Sequence, residues 1–168
     1  MFDPFFSWLE ETALSVWIRE APSIFVFPMI LAVHTIGLGL LAGINAALDL
    51  RLLGFARDVP VVAFRRLLPV MWAGLWLNLA SGIALVLAYP TKALTNPVFY
   101  LKLILVAGGL SILRQTGRTV LTDGPLPDNV RTLAVASLVC WAGAITSGRF
   151  LAYTYLRLMA TWEYAWPY

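Results

Sequence analysis

Charged residues are scarce in this 168-residue chain. They make up 12%, beside 60% hydrophobic residues and a mean hydropathy of +0.79. A soluble domain typically carries about 25% charge, so the chain reads as a polytopic membrane protein. Its one cysteine, Cys140, excludes an internal disulfide and any CxxC redox or zinc motif. Without a CxxCH, covalently attached c-type haem is excluded as well. Its one histidine, His34, means that a single copy cannot supply two imidazoles to one haem. Walker, GxSxG, HExxH and dinucleotide signatures are all missing, so the chain is not expected to be an enzyme. Asp49 and Asp58 fall at the edge of the first apolar run, so a proton-coupled transporter would lack its midmembrane acid. Asp3, Glu10 and Glu11 stand where a cleavable signal would be basic, so the N-terminus reads as mature sequence. The net charge of +3 comes from cations spread over the connecting segments, which fits lipid headgroups and not nucleic acid.

What the chain does have is apolar length. Four windows meet the requirement of about 20 apolar residues for a transmembrane helix: Ile24–Leu48, Val61–Leu87, Val98–Leu113 (extended to Gln115) and Leu133–Leu151. Pro28 and Pro69 lie at or near the starts of two of these, where a bundle can absorb the freed carbonyls. Seven of the twelve Lys and Arg (Arg51, Arg57, Arg65, Arg66, Arg114, Arg118 and Arg131) flank the first and third connections. The positive-inside rule then predicts a cytoplasmic location for those connections and periplasmic termini.

Residues 1–22 place Phe5, Phe6, Leu9, Leu14, Trp17 and Ile18 on one face of a helix, with Glu10, Glu11 and Glu20 elsewhere. Asp3 and Pro4 suit its start. The expectation is an amphipathic helix in the membrane interface, or docked on a partner. The predicted fold is thus all-α: residues 1–22 interfacial, 23–155 a four-helix transmembrane bundle, and 156–168 an aromatic tail ending in TWEYAWPY. Val70-Met71-Trp72-Ala73-Gly74 recurs as Val139-Cys140-Trp141-Ala142-Gly143. Two parallel helical hairpins would produce such a repeat, and so would the composition common to membrane helices.

His34 sits inside the first span, and intramembrane ionisable groups are functional-site candidates by default. It lies about 15 Å from the predicted outer surface, and Met71 and Cys140 fall about 14 and 15 Å from the inner one. His, Met and Cys are soft ligands for copper or haem iron. Met also serves as a gap filler and Cys as a small hydrophobe. With His34 as the metal ligand, the open geometries are a His34–Met71 pair, five-coordinate haem, or haem shared by two copies. Haem b is the principal cofactor candidate, with a chlorin or copper as alternatives. Lys102 and Arg149, with Asn78 and Ser81, would form a polar cluster for haem propionates. Snorkelling to the interface is the simpler reading for Lys102 and an equal alternative for Arg149. Gly39 and Gly43 make a small-xxx-small face for close helix packing.

Several segments resemble a group of small, uncharacterised bacterial four-helix inner-membrane proteins. They are His34–Leu38 (HTIGL), Asp49–Gly54 (DLRLLG), Phe64–Gly74 (FRRLLPVMWAG), Asn96–Leu103 (NPVFYLKL) and Ser147–Tyr153 (SGRFLAY). The arginine-led second helix and the Phe-x-x-Lys start of the third are also similar, more distantly, to the membrane domain of copper-resistance D-like proteins. The resemblance implies a multi-pass protein of the bacterial inner membrane and draws attention to His34, Lys102 and Arg149. Two functions are expected. One is a non-catalytic subunit that anchors or packs within an electron-transfer or photosynthetic assembly, surrounded by lipid and by other subunits or copies of itself. The other is a haem-binding electron-transfer protein ligated by His34.

Overall fold

The computed structural model describes residues 3–122 and 128–153, and among them it is helical without strands. Two short helices, α1 (Asp3–Glu10) and α2 (Ala13–Glu20), precede α3 (Phe27–Leu53). A 3-10 segment, Val61–Arg66, leads into α4 (Leu68–Ala88). The one-turn α5 (Pro90–Leu94), α6 (Pro97–Thr122) and α7 (Val130–Tyr153) follow. Four of these helices are long and apolar enough to cross a bilayer: Phe27–Leu53, Leu68–Ala88, Pro97–Arg118 and Val130–Leu151. The chain is an all-α polytopic membrane protein.

Three of the four helices run longer than their hydropathy windows and α4 is shorter than its own, for identifiable reasons. In α3 the run continues past Leu48 because Leu50, Leu52 and Leu53 are still apolar, while Asp49 is bonded by Asn45 one turn earlier. Gly54 ends the helix at φ +104°, a conformation only glycine adopts without strain. Arg51 then folds back to donate to the Arg57 carbonyl at 3.1 Å and to the Val59 carbonyl. The second window does not begin as α-helix. Residues 61–66 are 3-10, and the α-helix starts at Leu68 with Pro69 in its first turn. The third window extends past Gln115, since arginines are no obstacle to a helix that emerges from the membrane.

The predicted single amphipathic helix is instead two. The break falls at Glu11–Thr12, where the Thr12 hydroxyl caps α2 by accepting from Ser15 N. The pair packs on α4 and α5. Ser15 Oγ and Arg19 Nη1 both donate to the Ala88 carbonyl, at 3.4 and 3.3 Å. That carbonyl lies in the last turn of α4, where no intrahelical donor remains and a cation is favoured. Glu10 Oε1 accepts from Thr91 N at 3.1 Å, and the Arg19 guanidinium sits 5.9 Å from the Tyr89 ring centre. Phe5, Trp8, Leu14 and Trp17 remain exposed. We call this the capped end and the opposite one the far end. The aromatic tail 156–168 lies outside the described residues.

Helices α3 and α4 form one antiparallel hairpin and α6 and α7 another, joined through α3 against α7. The buried apolar core (Leu41, Leu48, Leu52, Met71, Leu113 and Trp141) sits toward the far end. The repeated VxWAG segments occupy different environments, with Trp72 37% exposed and Trp141 2%.

Candidate functional site

Helix α3 presents two polar groups to its neighbours, about 16 Å apart along its axis from His34 to Asn45. The first is His34, which the stripe His34–Gly37–Leu41–Asn45–Leu48 turns toward the bundle. Gly37 makes this contact close. A methyl group there would stand 2.7 Å from Asn78 N and 2.8 Å from the Gly74 carbonyl, both backbone. Gly74 is equally tight against Leu40 and the Gly37 carbonyl. With the two backbones that near, the half-buried imidazole lies directly on α4.

His34 Nδ1 is 3.1 Å from the Asn78 carbonyl oxygen and 3.1 Å from Ser81 Oγ. A carbonyl can only accept, so Nδ1 carries the proton. The Ser81 hydroxyl donates to the Leu77 carbonyl and has a lone pair left for the second branch. The tautomer is thus fixed by α4, and Nε2 holds the imidazole lone pair. Asn78 Nδ2 makes its close bond to the His34 carbonyl, 2.8 Å, and approaches Nε2 only at 3.4 Å. Gly82 gives the ring room, since a Cβ there would meet His34 Cε1 at 3.2 Å.

Of the other sequence-predicted residues, Lys102 lies close enough for its charge to act on His34. Its Cε and Nζ would stand 3.6 Å from a Cβ on Gly148 of α7, so it reaches across α6–α7. Arg149, the next residue on α7, is exposed. Met71 is not brought to His34. It is 1% exposed in the core and seven residues from Asn78, about 10 Å along α4. Its side chain packs instead in the apolar cluster with Leu41, Leu68 and Leu113. Cys140 packs against Gly108 of α6, at 3.2 Å from a Cβ there. The equal depth that the sequence suggests for His34, Met71 and Cys140 does not hold, because His34 sits at the level of Asn78 and Met71 lies about 10 Å further toward the far end. Among the described residues, no three His, Cys, Asp or Glu gather closely enough to hold a metal ion.

The second group escapes the sequence reading, which leaves Asp49 at the membrane edge. In the structure Asn45, Asp49 and Ser137 are buried together, 0%, 1% and 0% exposed. Asn45 Nδ2 donates to Asp49 Oδ2 at 2.8 Å and to Ser137 Oγ of α7 at 2.7 Å. The remaining oxygens, Asn45 Oδ1 and Asp49 Oδ1, have no hydrogen-bond partner among the described residues. The i, i+4 spacing of Asn45 and Asp49 was the available signal, but a partner on another helix is not written in local spacing.

Gly39 and Gly43 do not make the predicted close contact within the chain. A Cβ at either position would meet nothing within 4 Å. Gly37 and Gly74 take that role instead.

Compared with protein-family models, curated proteins and solved structures, the chain matches none. The fold and the two polar groups define it as a multi-pass α-helical membrane protein with an oriented imidazole on one helix and a buried carboxyl-amide pair further along the same helix.

Proposed function

We propose that the protein is a non-catalytic membrane subunit that packs within a larger assembly through one face of α3. The observation that carries this reading is the exposed row Thr35, Gly39, Gly43 and Ala47, each one turn from the next. Small residues at this spacing let a second transmembrane helix approach closely, which is how helices associate where lipid removes the hydrophobic driving force. Thr35 bonds its own Leu31 carbonyl at 2.9 Å and so presents little unmet polarity to lipid or partner. The occupant is a transmembrane helix of another subunit or of a second copy, in an assembly of the electron-transfer or photosynthetic kind. The arginines flanking the far end support a cytoplasmic far end in a bacterial inner membrane, with α1 and α2 in the opposite interface.

Gly39→Leu/Gly43→Leu is expected to release co-purifying subunits, or to dissociate a homo-oligomer, in mild detergent. Both side chains enter open space, so the monomer's own unfolding temperature should hold. An unchanged assembly would sink the proposal.

A second reading is favoured by the His34 tautomer. Histidines that ligate metal usually donate their other ring N–H to a backbone carbonyl or carboxylate, which is the arrangement that Asn78 imposes here. Nε2 would then be an axial ligand for haem b, with Lys102 and Arg149 as cations for its propionates. Met71 is buried in the apolar core, which favours five-coordinate haem or haem shared between copies. In this case protein from its native source should show a Soret band that His34→Ala removes. A colourless wild type with full occupancy verified by metal analysis would exclude it.

A further inference from the structure

At the far end, α4 and α6 leave a crevice of about 150 Å³ between them. Its floor is apolar, formed by Leu68, Met71 and Trp72 from α4 and by Leu113 and Gly117 from α6. The 3-10 segment Val61–Arg66 packs on α6 beside it. Arg114 and Arg118, one turn apart on α6 and both exposed, complete the lining. Among the described residues, no acidic side chain lines it. Arg65 and Arg66 close the 3-10 segment and add to the positive charge of this end.

We propose that this crevice binds one anionic phospholipid, with an acyl chain over the floor at Trp72 and Gly117 and the phosphate on Arg114 and Arg118. The two halves of the lining call for different parts of a single molecule. The floor suits hydrocarbon, and in a bilayer acyl chains are the surrounding medium. The rim suits a phosphate, because guanidinium groups pair with phosphate oxygens in bidentate fashion. A basic pocket between transmembrane helices at the cytoplasmic interface is where an anionic headgroup is held most firmly. A zwitterionic lipid offers the same chain and phosphate, but its own cation offsets the attraction of the rim. Selectivity for net negative charge is therefore the specific claim. It is independent of what covers the α3 face.

Gly117 supplies the sharpest test. It lines the crevice, and a Cβ on it would meet nothing within 4 Å among the described residues, so Gly117→Leu adds bulk at the crevice with no backbone clash at its first carbon. The experiment is native mass spectrometry of delipidated full-length protein titrated with phosphatidylglycerol or with phosphatidylcholine of the same chains. Wild type should take up one phosphatidylglycerol with roughly tenfold to thirtyfold preference, the order expected from two interfacial arginines. Arg114→Gln/Arg118→Gln should abolish the preference, and Gly117→Leu should weaken uptake of both lipids. Equal uptake of the two lipids by wild type would overturn the proposal, and that measurement needs no variant. So would Gly117→Leu protein, monodisperse and with unchanged melting, that binds phosphatidylglycerol as wild type does. The arginines would then be holding headgroups at the surface without a chain site.

Discussion

Gly37→Ala is expected to open the α3–α4 hairpin, with a loss of stability at or above the upper end of the about 1–3 kcal/mol typical of overpacking. The reason is what the new methyl group would strike. Asn78 N at 2.7 Å and the Gly74 carbonyl at 2.8 Å are backbone atoms of a regular helix, which cannot rotate aside as a side chain would. Moving α4 away would also lengthen the bonds from His34 to Asn78 and Ser81, so the imidazole should lose its fixed orientation together with the hairpin. Gly39→Ala is the matched control. Its methyl group enters open space, and its higher helix propensity should stabilise the helix by up to about 1 kcal/mol. Thermal unfolding of both variants in one detergent decides the matter. Equal melting temperatures would mean that the close crossing is not where the structure puts it.

The second large effect concerns Asn45. Removing its amide in Asn45→Ala takes a donor from the Asp49 carboxyl and from Ser137 at once, in a place where no water-exposed surface can substitute. A buried polar group left unsatisfied costs about 1–3 kcal/mol, and more if it is charged. Ser137→Ala removes interhelical contact with Asn45 and with the Asp49 carboxyl but leaves the Asn45–Asp49 bond in place, and such bonds average about 0.6 kcal/mol each in membrane helices. Asn45→Ala should therefore be clearly the worse of the two. Asn45→Ala/Asp49→Ala should recover part of the loss, since removing both partners of a buried pair costs less than stranding one. If the double variant melted at the sum of the two single effects, the two residues would be acting independently and the network would be wrongly drawn.

The four spans were legible in the sequence because hydrocarbon thickness sets a length and hydropathy reports it directly. Their ends were less so. Asp49 and Arg51 look like a boundary in a list of charges, but α3 carries them because one is satisfied by Asn45 and the other reaches back along the following loop. The break between α1 and α2 depends on Thr12 finding Ser15 N, a choice that the apolar periodicity of residues 1–22 masks. Which glycines touch a neighbour was also hidden. Gly37, Gly39 and Gly43 are alike in sequence, and only the direction in which α3 faces α4 separates the first from the others. For His34 the sequence held the components, with Asn78 and Ser81 on the next helix at similar height. It could not supply the direction of the ring, and hence not the tautomer. Met71 reads from the sequence at the same depth as His34, but the structure sets it about two turns of α4 away from Asn78, the residue that His34 touches.

The arrangement of contacts also has a consequence in time. Partners of α1 and α2 lie in α4 and α5, so the cap and the first hairpin draw on residues before α6. Chains emerge from the ribosome N-terminal first and fold in units as they do. The capped hairpin can therefore close once Leu94 has emerged, with Arg19 latched on Ala88. Asn45 has to wait, because Ser137 is 92 residues further along. During that interval the Asn45 amide lacks its partner on α7, and the arrival of Ser137 completes the hydrogen-bond network.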